Sequence, residues 1–265
     1  MLHYSINRAA AAVTAVLLLA GATVGCAPPR TEQPAPRSES GVRDNAPAAA
    51  EILVWWSTSE LGITRLQDIP AEMAKPFEGG ITVSNAAKEK ALAADCGTAR
   101  ELQAQGYKAQ YPRDIAVLGV MTAKCMALTA LLTVKPAHTS FLPKRPYSSM
   151  LVEMLPAALA PSFSTAQQLA IERATKGGQP IRMVEVTVTF EAALDEEIHI
   201  AGEGWQETLM MLARGDFDGD SKLDWLLRAD LAMERGTHRN SRLFLMSRSS
   251  PDSVISVTRE LKPGN

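Results

Sequence analysis

Four aspartates lie within nine residues near the C-terminal end of the chain, in the segment ARGDFDGDSKLDWLL (213–227). Carboxylate and carbonyl oxygens are the ligands that Ca²⁺ prefers, and it takes roughly six to eight of them. On a tightly curled loop, aspartates at alternate positions can converge on one ion, with the backbone carbonyl of Lys222 as a further ligand. The pattern predicts a calcium site; the alternative is an acidic hairpin turn without an ion. The candidate ligands are Asp216, Asp218, Asp220, Lys222 and Asp224.

The loop departs from an EF-hand at two positions. Ser221 stands where an EF-hand has glycine, and Leu227 stands where it has glutamate. The stretch GDFDGDSKLDWLL instead resembles the calcium loops of FG-GAP repeats, in which Asp–x–Asp–Gly–Asp–x–x–x–Asp links two antiparallel strands. This resemblance implies the loop and its four aspartates, but no propeller, because the chain has a single copy. Calcium is a weak Lewis acid, and four carboxylates leave few open positions, so we expect a structural ion.

The first 25 residues have the composition of a secretory signal peptide. Arg8 precedes an apolar stretch at 9–22, and small residues then lead to Cys26. The sequence TVGC at 23–26 resembles the lipobox of bacterial lipoproteins. This resemblance implies that Cys26 carries a diacylglycerol and becomes the mature N-terminus, and Ala27 after it implies the outer membrane, facing the periplasm. The alternative is an ordinary signal peptide that is cut nearby, with Cys26 left as a free thiol.

Residues 26–50 are rich in proline, alanine, serine and charged residues, and they contain no aromatic side chain. Such a segment cannot bury enough surface to offset its ordering entropy, so it predicts a disordered tether. Without Arg8 the mature chain has 26 basic and 29 acidic side chains. A net charge near −3 argues against nucleic acid as a partner.

Two cysteines remain if Cys26 is lipidated. These are Cys96 and Cys125. In an oxidising cell envelope a disulfide between them is plausible, and it would add about 3–4 kcal/mol in the chain-entropy model. The alternative is two buried free thiols on neighbouring helices.

The pattern of apolar residues predicts an α+β protein, with a mainly helical region at 51–180 after an opening strand at 51–57. Thr98 and Glu101 fit a capping box for a helix that ends at Gly106. The segment 114–134 is apolar on nearly every face. It predicts a core helix rather than a second membrane span, because Asp114 and Lys124 interrupt it. Residues 164–177 repeat the helix signals.

The region at 181–265 changes to a two-residue period and predicts an antiparallel β-sheet that carries the aspartate loop. Alternating valines predict a half-buried strand at 181–191, which should pair with EEIHIAGE (196–203) as a hairpin. Further strands are predicted in ETLMMLARGDF, DWLLRADLAM, SRLFLMS and VISVTREL. We therefore expect helices in the first half, packed with a sheet in the second.

Recognisable catalytic motifs are absent from the sequence: it has no Gly-x-Ser-x-Gly, His-Glu-x-x-His, Walker or dinucleotide motif. The mature histidines are His138, His199 and His238, and their spacing from Ser140 or Ser149 does not indicate a nucleophilic pair. The first hypothesis is a non-catalytic, lipid-anchored periplasmic lipoprotein that binds an envelope protein or peptidoglycan. The others are a periplasmic hydrolase with an unrecognised site, or an inhibitor (immunity protein) against a lytic toxin.

Overall fold

A computed structural model describes residues 54–143, 153–194 and 197–263 of the chain. The signal peptide, Cys26, the tether and Ser149 lie outside the described residues. The α-helices are α1 (Thr58–Leu61), α2 (Ile69–Met73), α3 (Cys96–Ala104), α4 (Pro112–Leu131) and α5 (Thr165–Lys176). The strands are β1 (Trp55–Trp56), β2 (Ile81–Ser84), β3 (Lys90–Ala93), β4 (Lys108–Ala109), β5 (Thr189–Leu194), β6 (Glu197–Gly202), β7 (Trp205–Gly215), β8 (Asp224–Met233), β9 (Arg239–Ser247) and β10 (Ser256–Leu261). Short 3₁₀ helices span Leu66–Asp68, Ala157–Leu159 and Ile181–Met183.

The main sheet is antiparallel and has the strand order β10-β9-β8-β7-β6-β5, so neighbours in the chain are neighbours in the sheet. Strand β1 also pairs with β7, beyond the point where β6 ends. The α+β prediction is confirmed.

Alternating side chains of the sheet belong to two hydrophobic clusters. Leu227 and Phe244 pack with α5 and the 3₁₀ helix at 157–159. Leu226 and Leu243 pack with α1 and α4. Because successive side chains on a strand point to opposite faces, helices cover both faces of the sheet.

Trp55 and Trp56 pack against different clusters, as expected for neighbouring residues of a strand. The Trp55 ring lies under the Arg214 guanidinium, 4.8 Å from its centroid. The indole nitrogen of Trp56 donates to the carbonyl of Ile63 at 3.1 Å. Both rings therefore anchor the start of the folded body.

Helix α4 is long and apolar enough to cross a membrane, and it is the one such helix in the described part of the chain. Its Ala123, Ala127, Leu128 and Leu131 are buried in the cluster against the sheet. Small residues at two of these positions let the helix backbone approach the strands closely. The helix packs as the core helix that the sequence predicts.

Three details of the first half differ from the sequence-based expectations. Helix α3 begins at Cys96, and its capping box joins Asp95 to Thr98 instead of Thr98 to Glu101. A second sheet, β3-β2-β4, lies in the region expected to be mainly helical. Its strands have two to four residues each, too few to form a detectable alternating pattern. By contrast, Ser164 caps α5 as predicted, accepting from the amide of Gln167.

The strand expected at 181–191 is shorter than predicted. Residues 181–183 form a 3₁₀ helix, and β5 begins only at Thr189. Val186, expected to face the core, is 79% exposed. The amides of Val184 and Glu185 both bond the carbonyl of Ile181, so the backbone turns where the alternating pattern predicts extension. The predicted hairpin of β5 with β6 is confirmed.

Candidate metal site in the β7–β8 loop

The aspartate loop joins β7 to β8, and its two ends pair with each other at Gly215 and Asp224. The loop therefore links two antiparallel strands, as the sequence predicts. Its backbone has a positive φ at Gly219 (87°) and at Ser221 (66°). A serine in this left-handed region costs about 1–2 kcal/mol, so the contacts within the loop have to offset the strain at Ser221.

Three of the carboxylates converge. Asp216, Asp218 and Asp224 each place an oxygen within 4.8 Å of the others. Asp216 and Asp224 are buried, whereas Asp218 is exposed. Oxygens at such separations can ligate one ion, so this group could hold a metal ion.

Backbone amides of the loop hold the buried carboxylates in place. The amides of Gly219 and Ser221 donate to the two oxygens of Asp216, at 2.6 and 3.0 Å. The amide of Phe217 donates to Oδ2 of Asp224 at 3.0 Å. The other Asp224 oxygen, Oδ1, is buried and makes no hydrogen bond of normal geometry, although the hydroxyl of Ser247 lies near the carboxylate. An unpaired buried acceptor costs about 1–3 kcal/mol, and a bound cation would satisfy it.

The two other predicted ligands are placed differently. The carboxylate of Asp220 accepts from Nζ of Lys222 at 2.7 Å and from its amide at 2.8 Å. The Lys222 ammonium holds the pKa of Asp220 below its ordinary value. Asp220 therefore does not belong to the group of three converging carboxylates.

A segment that sequence reasoning missed lies against the loop. Residues 135–139, which follow α4, are here called the strap. Lys135 and Asp216 exchange two backbone hydrogen bonds of 2.9 Å. The amide of His138 donates to the carbonyl of Ser221 at 2.9 Å, and that of Leu223 to Thr139 at 2.8 Å. These contacts span about eighty residues of sequence, and nothing local in the strap indicates them.

Burial raises the pKa of Asp224 from 3.8 to about 6, although the amide of Phe217 and the nearby hydroxyl of Ser247 favour the charged form. The folded protein therefore binds this proton more tightly than the unfolded chain. Without a metal, we expect the contribution of Asp224 to stability to fall as the pH rises from about 4 to about 6, by about 3 kcal/mol in total.

Urea unfolding in cation-free buffer between pH 4 and pH 7 measures this effect as the difference between wild type and Asp224→Asn. The subtraction removes the contributions of other carboxylates to the pH dependence of stability. Asp220 is one of these, and its lowered pKa makes stability rise with pH instead of fall. A difference that does not change across this range would contradict a buried, metal-free carboxylate at 224.

The histidines and serines do not form nucleophilic pairs in the described residues. Ser140 donates to the carbonyl of Leu142 at 3.3 Å, not to a histidine. His138 belongs to the strap. His199 is half-buried, and its Nδ1 lies 3.2 Å from the hydroxyl of Thr208.

The structure joins Cys96 to Cys125 by a disulfide, with a Cα–Cα distance of 5.5 Å. Both residues are buried. The bond ties α3, and with it the small sheet, to the core helix α4.

No protein-family model matches the chain, and neither a curated protein nor a solved structure is detectably similar to it. The calcium loop inferred from the likeness to FG-GAP repeats and the lipid anchor inferred from the lipobox-like residues 23–26 therefore stay predictions.

Proposed function

We propose that this protein is an exported, lipid-anchored and non-catalytic envelope protein that holds a structural Ca²⁺ in the β7–β8 loop. The observation that carries the proposal is the convergence of Asp216, Asp218 and Asp224, together with a buried Asp224 oxygen that makes no hydrogen bond of normal geometry. A cation would neutralise the repulsion among the three carboxylates and supply the partner that this oxygen lacks.

Calcium suits these residues better than a softer metal. The three side chains that converge all offer carboxylate oxygens, and none offers the nitrogen or sulfur ligands typical of zinc. The remaining ligands would come from water or backbone carbonyls, including that of Lys222. Asp220 would have to release the Lys222 ammonium before it could join them.

The role of the ion is to join distant parts of the fold. The loop closes the β7–β8 hairpin, and the strap connects it to the end of α4. An ion bound there would stabilise both contacts at once. The buried disulfide supports an oxidising compartment, where Ca²⁺ is plentiful compared with the cytosol.

We further propose that Cys26 carries the lipid, that residues 26–50 form the tether, and that the folded body binds another envelope protein or peptidoglycan from the periplasmic face of the outer membrane. The lipobox-like sequence supports the anchor. The slight negative charge of the mature chain argues against nucleic acid or an anionic lipid surface as the partner.

Cys26→Ala tests the anchor. We expect wild type to fractionate with outer membranes and to incorporate radiolabelled palmitate, because its acyl chains bind the bilayer stably. The variant should incorporate no label and appear in the soluble periplasmic fraction or as unprocessed precursor. Cys96→Ala is the matched control, since it removes a cysteine that the disulfide uses. Equal labelling of wild type and Cys26→Ala would contradict the proposal.

The binding partner is tested by crosslinking intact cells. Anchored wild type should be recovered with a specific envelope protein or with peptidoglycan fragments. Recovery of neither would count against the binding role while leaving the anchor and the ion intact.

A further inference from the structure

A second site lies far from the metal loop. A groove of about 640 Å³ runs between the N-terminal half of α4 and the open part of the sheet face. Ala116 and Val120 of α4 form its apolar wall. The groove meets β8 at Asp230. This residue is six positions after Asp224, so the two are about 20 Å apart along the strand. Its volume lies in the range of small-molecule sites.

The floor of the groove is a polar row formed by strand register. His199 pairs with Thr208, Thr208 with Asp230, and Asp230 with Ser241, one residue from each of four adjacent strands. Residues directly opposite one another share a face of the sheet, so these four side chains form one line beside α4. Helix α4 lies against this row at Gly119, where an added Cβ would be in ordinary van der Waals contact with the Ser241 side chain at 3.5 Å.

The groove carries more negative than positive charge. Arg228 bonds both Asp230 and Glu60 at 2.8 Å, so one guanidinium is shared by two carboxylates. Glu191 and Glu207 line the groove with Asp230, Arg239 is the arginine in its wall, and Arg242 pairs with Glu207 at 3.0 Å. Glu197 lies beside the groove, 3.2 Å from Nε2 of His199. Five carboxylates therefore lie in or beside the groove with three guanidiniums, and this excess of negative charge favours a positively charged ligand.

The row also offers unfilled hydrogen-bonding positions. Oδ2 of Asp230 accepts from Arg228, but Oδ1 has no partner. This oxygen is itself buried, although the Asp230 side chain as a whole is 27% exposed, so the carboxylate has to rotate to present it to a ligand. The Thr208 hydroxyl, shared with His199, lies on the adjacent strand of the row.

We propose that this groove binds a small ligand that carries a protonated amino group. The ammonium donates to Asp230 and to the Thr208 hydroxyl, and the aliphatic part of the ligand lies against Ala116 and Val120. This site is separate from the calcium loop and independent of the proposed structural role of the ion.

The experiment is a calorimetric and NMR titration of the folded mature protein, in calcium buffer, with cadaverine (1,5-diaminopentane). Glutarate, a dicarboxylate of the same chain length, is the reference probe. We expect saturable cadaverine binding and no glutarate binding. Asp230→Asn should raise the cadaverine Kd at least tenfold. Asp252→Asn, which removes the same charge from an exposed turn outside the groove, should leave the Kd within twofold.

A second variant guards against misfolding. Ala116→Phe fills the groove from the helix side and leaves the Arg228 network untouched, and it should also weaken cadaverine at least tenfold. Equal affinity for cadaverine and glutarate, no cadaverine binding to wild type, or equal affinities of the Asp230→Asn and Asp252→Asn variants would each overturn the proposal.

Discussion

We expect calcium to raise the melting temperature of the chelator-treated protein by about 5–10 °C. A ligand at a hundred times its Kd adds about 2.7 kcal/mol, and each kcal/mol moves the midpoint of a domain of this size by about 2–4 °C. The shift requires the converging carboxylates of Asp216, Asp218 and Asp224. Differential scanning calorimetry in calcium and in EDTA measures it directly.

The change in melting temperature caused by Asp224→Asn should have opposite signs in EDTA and in calcium. In EDTA the variant should melt at or above wild type, because it removes a buried charge whose Oδ1 makes no hydrogen bond of normal geometry. In calcium it should melt below wild type, because it has lost a ligand. Simple disruption of the loop would lower both midpoints, so the crossing separates loss of the ion from loss of the fold.

Asp220→Asn and Asp252→Asn are the matched controls. Asp220 pairs with Lys222 in the structure, so replacing Asp220 should leave most of the calcium-induced rise in melting temperature. The sequence pattern alone predicts that this rise is lost. Asp252 is exposed and does not belong to the converging carboxylates, so its replacement should leave the calcium shift unchanged. Identical melting of wild type in calcium and in EDTA would contradict the calcium site.

Loss of the disulfide lowers the free energy of unfolding by about 3–4 kcal/mol. The bond closes a separation of 29 residues, and the chain-entropy model assigns about this value to such a loop. The double variant Cys96→Ala/Cys125→Ala should show a lower urea midpoint and an m-value at or above that of wild type, because the chain without the cross-link unfolds to a more expanded state. The effect should be the same in calcium and in EDTA, because the bond lies in α3 and α4, outside the aspartate loop.

Reduction of wild type is the control for the lost sulfur packing, since both cysteines are buried and alanine leaves a small cavity. The free energies of unfolding of reduced and oxidised wild type should differ by nearly the same amount, about 3–4 kcal/mol in the chain-entropy model. Two reactive thiols in the unreduced, denatured protein with Cys26→Ala would show that the pair is not bonded in solution.

The sequence alone determined the local features of this protein. The aspartate loop could be located because its candidate ligands lie within nine residues, so convergence needs only one tight turn. Strands β7 to β10 and the cap at Ser164 were predictable for a similar reason, since period and capping depend on neighbours in the chain. The strand at 181–191 was mispredicted where backbone bonds to Ile181 override the alternating valines.

Only the tertiary structure decided which distant groups meet. The strap reaches the aspartate loop across about eighty residues, and the row from His199 to Ser241 exists only because four strands share one register. The structure also shows that Asp220 pairs with Lys222 while the other three carboxylates converge. The spacing of the four aspartates in the sequence predicts the same role for all of them. Sequence spacing specifies which oxygens are close along the chain, whereas burial and competing partners such as Lys222 decide which of them stay free to bind an ion.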